Sequence, residues 1–315
     1  MGFKDIEINA ERDDIKLEAL EIALTSLCNF NCPYCGAYEN KKHNTLDIKT
    51  IVDNITELPD LKRIKLSGGE VTIFIDECLE LIRYCKEWGI ETQINTNGSL
   101  LDKEKIDQLA EAGLDYIHIS LNHYEAKMHD KYYKKGTETF EKIANNIKYL
   151  CKQGKIDVIT ESILFEEIIN NDVGKLYDYA YDLGVRKFQI QTPIPQATWE
   201  IKQDNSKTIE AIESLIINKH EDDEMYVTCV CVDKNGDFFR NISSEYKKGK
   251  VQFPYCIEGK KQLHLHSNGD IIICDIGKPV LLGNIFKGDS LKTVMEAKRS
   301  VIEEMIKKCD CTTFM

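Results

Sequence analysis

The chain has 315 residues, with 53 Asp and Glu against 41 Lys and Arg, for a formal charge of −12. With 42% hydrophobic and 30% charged residues it reads as a globular chain able to bury a sizeable core, which excludes disorder as its main theme. An acidic balance lacks the basic footprint needed to track phosphates, and no apolar run approaches the ~18 residues of a membrane span. Neither nucleic acid nor membrane is therefore expected as a partner, and without a signal-like opening the expected location is cytoplasmic.

Short β-rich runs alternate with amphipathic stretches from Leu17 to Thr192. Strands are predicted at Leu20–Thr25, Arg63–Ser67, Glu91–Thr96, Tyr116–Leu121, Ile156–Phe165 and Arg186–Thr192. Helices are predicted at about Leu46–Leu58, Asp76–Trp88, Asp102–Ala112, Thr137–Gln153 and Asp172–Leu183, each ending near Pro59, Gly89, Gly113, Gly154 or Gly184. Repeated strand–helix units imply a parallel sheet. Six strands are too few for an eight-stranded closed barrel. The expected fold is α/β, a partial (β/α)6 TIM-like barrel over residues 1–195, with an open doubly wound sheet as the alternative.

Beyond Pro193-Ile194-Pro195 the pattern changes. A helix at about Lys207–His220 and the acidic Glu221–Glu224 lead into a β-rich piece. Asn235-Gly236 and Asn268-Gly269 mark hairpin turns there, the second between Gln262–His266 and Asp270–Cys274. A last helix over Leu291–Lys308 delivers Cys309 and Cys311. Residues 196–315 are thus expected to form a linker helix and a small hairpin-plus-helix domain.

Twelve cysteines stand at 28, 32, 35, 78, 85, 151, 229, 231, 256, 274, 309 and 311. In a reducing compartment, so many thiols point to metal or redox chemistry rather than to disulfides. Cys28, Cys32 and Cys35 follow the first strand, at the carboxyl end where such barrels place active sites. Three close thiolates can hold three irons of a cubane cluster and leave the fourth iron open. Zinc is the structural alternative, with His43 as its fourth ligand.

The CX3CX2C spacing after the first strand resembles the radical S-adenosylmethionine (SAM) superfamily, in which SAM chelates the open iron of a [4Fe-4S] cluster. Tyr34 matches the aromatic residue that precedes the family's third cysteine. Ser67-Gly68-Gly69-Glu70 is similar to the GGE segment that binds the SAM amino group. Asn95 and Asn97 in Asn95-Thr96-Asn97-Gly98, and Ser120 with Asn122 after the fourth strand, fall where the family contacts SAM. Glu161 or Ser162 is the weaker match to a ribose contact. Val71 departs from the proline usual after GGE. The resemblance implies reductive cleavage of SAM to a 5′-deoxyadenosyl radical, which abstracts a hydrogen atom held within contact distance. It also implies a flavodoxin- or ferredoxin-type electron donor.

Cys256, twelve residues, Gly269, four residues and Cys274 resemble the opening of the SPASM and twitch domains that follow such barrels. Cys309 and Cys311 would complete the ligands of an auxiliary [4Fe-4S] cluster of the shorter, twitch type. Their CXC spacing departs from the usual CX2C and leaves one of the two in doubt; an all-thiolate zinc site is the alternative. Cys229 and Cys231 share one face of a predicted strand. They read either as small buried hydrophobes or as thiols that return a hydrogen atom to a substrate radical. Cys78, Cys85 and Cys151 sit in helical patterns and read as core.

The resemblance leaves four activities. Two are tailoring reactions, by oxidation or epimerisation of a small molecule, or by epimerisation or cross-linking of a ribosomal peptide with a separate leader-binding protein. The third is a molybdopterin-precursor-type cyclase. The fourth, of another class, is a non-catalytic iron–sulfur scaffold or electron carrier. A natural-product tailoring enzyme is the expected function.

Overall fold

The computed structural model describes residues 15–32, 34–35, 44–133, 137–170, 173–191, 205–228, 251–252, 259–274 and 280–308. Six strands appear where the sequence predicts them: β1 (Ala19–Thr25), β2 (Arg63–Gly68), β3 (Glu91–Thr96), β4 (Tyr116–Ser120), β5 (Asp157–Ile163) and β6 (Lys187–Gln191). The intervening helices are α1 (Ile48–Ile55), α2 (Ile75–Glu87), α3 (Lys103–Ala112), α4 (Ala126–Tyr133), α5 (Thr137–Gln153), α6 (Glu166–Asn170) and α7 (Val173–Asp182). Their ends follow local chemistry. Asp47 and Asp102 cap α1 and α3 by accepting from Thr50 N and Lys105 N, and Gly113 closes α3 at φ +95°.

Helix α8 (Asn205–Asn218) leads to β7 (Glu224–Thr228), followed by β8 (Val251–Gln252), β9 (Gln262–Leu265), β10 (Asp270–Ile272) and β11 (Leu281–Asn284). All eleven join one sheet, in the order β11-β10-β9-β1-β2-β3-β4-β5-β6-β7-β8. From β9 to β8 every pairing is parallel; only β10, paired with β9 and β11, runs antiparallel. The architecture is a TIM-like open barrel. It differs from the six-stranded expectation because α8 returns the chain to lay β7 beside β6, with Lys187 opposite Glu224. The predicted Asn268-Gly269 hairpin forms between β9 and β10, and β9 lies along β1. The final helix is two, α9 (Leu291–Ala297) and α10 (Arg299–Lys308), broken at Lys298. The Asn235-Gly236 turn lies outside the described residues.

Strand alternation sorts side chains between two faces. Leu20, Ile22 and Leu24 of β1, Ile64 and Leu66 of β2, and Ile117 and Ile119 of β4 are buried in the core shared with the helices. That core also buries Cys78 and Cys85 of α2. The opposite, inner face carries Glu21, Lys65, Gln93, His118, Glu161 and Gln189. Closed TIM barrels fill this face with branched apolar side chains. A polar lining instead suits a face that meets a ligand. No helix among the described residues is long and apolar enough to cross a membrane.

Candidate active site

The loop after β1 carries Cys28, Cys32 and Cys35, and its base is tied shut. Thr25 bridges Thr45, Ser26 N donates to Asn44 O at 3.0 Å, and Asn44 N donates to Ser26 Oγ at 3.0 Å. Cys28 is exposed, while Cys32 and Cys35 are half-buried. Burial pushes the Cys32 thiol up to about 12, and the neighbouring Cys35 and Cys28 push it the same way.

The Gly68-Gly69 turn after β2 lies against the backbone of this loop. Gly69 N donates to Thr25 O and Glu70 N to Leu27 O, both at 2.7 Å. A Cβ on Gly69 would collide with the Leu27 carbonyl, and Gly68 stands at φ +120° with Thr25 O at the place of its missing Cβ. Glycine is required here because two backbones meet with no room between them.

Glu70 is 1% exposed. Its Oε1 accepts from Thr72 N at 3.1 Å, Thr72 Oγ1 at 2.5 Å and Thr96 Oγ1 at 2.6 Å; Oε2 accepts from Asn97 N at 2.7 Å. These four donors match the acceptor capacity of a carboxylate. Glu70 therefore joins the β2 and β3 loops.

Asn97 makes a similar set of bonds: Nδ2 donates to Asn29 Oδ1 at 2.9 Å, and Oδ1 accepts from Ser99 N at 2.9 Å and Ser99 Oγ at 2.6 Å. Asn95 Oδ1 accepts from Gln93 Nε2 at 2.8 Å. Asn122 is buried, donates through Nδ2 to Tyr34 Oη at 3.0 Å and Tyr133 Oη at 2.7 Å, and accepts from Ile163 N. Tyr34 packs on Phe165 with ring centroids 4.7 Å apart, and Phe30 on Tyr133 at 5.0 Å. Asn122 thus braces the aromatic wall behind the cysteines.

Ser120 pairs across the sheet with Glu161, whose Oε2 lies 3.8 Å from His118 Nδ1 and whose Oε1 accepts from Gln189 at 3.4 Å. Burial pushes the Glu161 carboxyl up. The His118 and Lys65 side chains outweigh it and hold the carboxyl below the usual range, while burial lowers His118 against the pull of Glu161. Nearby, Glu21 meets Lys65 at 2.9 Å and Ser67 Oγ at 2.7 Å, with His264 Nδ1 3.9 Å away.

The structure gathers Tyr34, Gly68, Gly69, Glu70, Asn97 and Asn122 around the cysteine loop and sets Asn95, Ser120 and Glu161 on the strand ends behind it. Sequence reasoning missed Asn29, Thr96, Ser99, Tyr133 and the Glu21–Lys65 pair. Asn29 lies inside the cysteine spacing and Ser99 follows Asn97-Gly98, so position was the available signal. Cys274 is half-buried just after β10. Cys229, Cys231, Cys256, Cys309, Cys311 and His43 lie outside the described residues.

Residues 22–180 match the radical SAM superfamily. The chain belongs to that superfamily. It is 24% identical to the putative protein YfkA of Bacillus subtilis over 95% of this chain and 85% of that protein. It is 30% identical to a probable GTP 3′,8-cyclase of Saccharolobus solfataricus over 65% of this chain and 69% of that one. It spans only 56% of an uncharacterised Methanocaldococcus jannaschii protein with which it shares 31% identity. Among solved structures, Streptococcus suis SuiB bound to S-adenosylmethionine aligns with a TM-score of 0.68 and 16% identity, over 88% of this chain and 65% of that chain. For anSMEcpe with bound AdoMet the TM-score is 0.64 at 17% identity, over 94% and 88%. At these identities the likeness shows the fold.

Superfamily membership implies an enzyme that uses a [4Fe-4S] cluster and SAM. The donor set fits that cluster: three thiols share one loop, and each opposes ionisation of Cys32 only until a cation binds and deprotonates them together. Among the described residues, Cys28, Cys32 and Cys35 included, no three His, Cys, Asp or Glu side chains close on a metal-sized space.

Proposed function

We propose that this chain is a natural-product tailoring enzyme that removes a hydrogen atom from a small molecule or ribosomal peptide held against the inner face of the sheet. The observation that carries the reading is the cysteine loop bonded backbone to backbone to the Gly68-Gly69 turn, at the carboxyl ends of strands with a polar inner face. Cys28, Cys32 and Cys35 would hold the cluster, and its chelated SAM supplies one-electron cleavage of a carbon–sulfur bond and hence the hydrogen-abstracting radical.

The chain's own residues do the rest. Tyr34 and Phe165 form an apolar wall beside the thiols that excludes water. Glu70 and Asn97 lock the adjoining loops, and Ser120 and Glu161 present polar groups to the inner face. A flavodoxin- or ferredoxin-type protein would supply the electron. Cys274, with Cys256 and one or both of Cys309 and Cys311, is the ligand set proposed for a twitch-type auxiliary cluster.

Similarity to the probable GTP 3′,8-cyclase suggests a second reading without favouring it, a cyclase of the molybdopterin-precursor type. Charge pairing weighs against it. Among the described residues of the inner face, Arg63 meets Glu91 at 2.7 Å, Lys65 meets Glu21 at 2.9 Å and Lys187 meets Asp157 at 2.7 Å. Arg63 and Lys187 open their strands at the end away from the cysteine loop, so of the three only Lys65 could meet a triphosphate, which would have to displace Glu21 from it. A neutral or amine-bearing substrate with hydroxyl donors would not.

The test is anaerobic reconstitution with iron and sulfide, reduction, and chromatography of the SAM products. Formation of 5′-deoxyadenosine that disappears in Cys28→Ala is the expected result. No release above that variant's background would instead mark a scaffold or electron carrier.

A further inference from the structure

We propose that Asn29 and Ser99 are positioning residues that couple the cysteine loop to the SAM-binding side of the β3 loop; this rests on the cluster-and-SAM reading above. Asn29 stands between the first two cysteines, and Ser99 lies seventy residues further on. Asn29 Nδ2 donates to Ser99 Oγ at 2.9 Å, Ser99 Oγ donates to Asn97 Oδ1 at 2.6 Å, and Asn97 Nδ2 donates to Asn29 Oδ1 at 2.9 Å. The three side chains form a closed ring of three bonds in which each bond polarises the next.

The ring is fastened on both sides. Ser99 N donates to Asn97 Oδ1, and Asn97 N donates to Glu70 Oε2, which brings in the Gly68-Gly69 turn. Ser99 and Asn97 are 6% and 9% exposed, so water competes little for these bonds. Asn97 Oδ1 accepts from both the hydroxyl and the backbone N of Ser99, and among the described residues one of the two Asn97 N–H groups has no partner and is left for a ligand. Asn29 is the side chain through which the cysteine loop enters this arrangement. A ligand that engages Asn97 therefore feels the position of Cys28, and a displaced Cys28 loop reorients Asn97.

The experiment uses the full-length reconstituted protein as wild type, Asn29→Ala, Ser99→Ala and the double variant. Iron content, SAM affinity by equilibrium dialysis, and the electron paramagnetic resonance spectrum of the reduced cluster with and without SAM are measured. Each single variant should keep its iron, bind SAM about tenfold more weakly and lose most of the SAM-induced spectral change. The double variant should be no worse than about twofold beyond the weaker single, since a broken ring is broken once. Asn29→Asp should bind SAM no better than Asn29→Ala, because the one Ser99 hydroxyl proton would turn to the new carboxylate and leave the Ser99 and Asn97 oxygens facing each other, so the ring stays open. Singles that bind SAM like wild type, losses that multiply in the double, or an Asn29→Asp that binds like wild type would each overturn the proposal. A wild-type protein with no SAM-dependent spectrum would overturn the cluster-and-SAM reading itself.

Discussion

The loops after β1, β2 and β3 are fastened to one another by backbone pairs, by a buried carboxylate with four donors and by a ring of amides and a hydroxyl. The C-terminal hairpin that ends at Cys274 is fastened differently. It joins the barrel through β9 on β1, and through α9, where Leu291 N donates to Asn54 of α1 at 3.3 Å. The first region is thus shaped by close backbone contacts among short consecutive loops, and the second by the docking of a strand and a helix onto a finished edge. Rigid, fully satisfied polar networks hold a ligand in one geometry, whereas a docked edge tolerates adjustment.

The largest expected effect separates the two regions as metal sites. Replacing Cys28, Cys32 and Cys35 by alanine should abolish 5′-deoxyadenosine formation and remove about four irons, the content of one cubane cluster. About four irons left in that variant, and lost on adding Cys274→Ala, would sharpen the comparison into two clusters. Zinc or no metal in the triple variant would leave the hairpin without an iron–sulfur role.

Next comes Gly69→Ala. The added methyl meets the Leu27 carbonyl, and neither backbone can move without breaking the 2.7 Å bonds at Gly69 N and Glu70 N. Overpacking against fixed backbone should cost about 3 kcal/mol, read as a lowered midpoint in denaturant unfolding. A loss below about 1 kcal/mol would mean that the loops adjust, and the contrast with the hairpin would fail.

Acid should also act on the first region. His129 of α4 is 0% exposed, both of its ring nitrogens lack a hydrogen-bond partner among the described residues, and its ring packs on Tyr133 at 4.4 Å and Phe140 at 5.1 Å. Burial, with His123 close by, pushes it down to about 4. The folded state therefore binds its proton later than the unfolded chain. This contribution to stability is complete above about pH 6.5 and is lost as pH falls toward 4, at about 2 to 3 kcal/mol. His129→Phe should flatten the fall in unfolding midpoint over that window; an unchanged slope would remove α4 as the acid-sensitive wall of the site.

The parts legible in the sequence were those set by neighbours in the chain. Alternation gave β1 to β6, Asn268-Gly269 gave the hairpin, and the cysteine spacing gave the loop. The parallel place of β7 beside β6 was not legible, because the strand's own residues do not name their partner. The tie that Glu70 makes between the β2 and β3 loops was likewise not legible, because two of its donors, Thr96 and Asn97, come from another loop. For Asn29 and Ser99 only their positions beside the cysteines and Asn97 were legible; the bond that joins them, seventy residues apart, was not.

The smallest expected effect returns to the comparison through a second glycine. Gly269 turns the β9–β10 hairpin at φ +85°, and a Cβ there would meet the Phe286 ring at 2.5 Å and Asn284 Oδ1 at 3.0 Å. Phe286 is 58% exposed, so its ring can swing aside into solvent, unlike the Leu27 carbonyl against Gly69. What remains is the cost of a left-handed backbone for alanine, about 1 kcal/mol. Gly269→Ala should therefore fold with a slightly lowered midpoint and keep the iron content of wild type. A loss as large as that of Gly69→Ala would show that Asn284, which accepts from Phe286 N at 2.9 Å and donates to Asp270 at 2.7 Å, holds the turn as rigidly as Glu70 holds the loops.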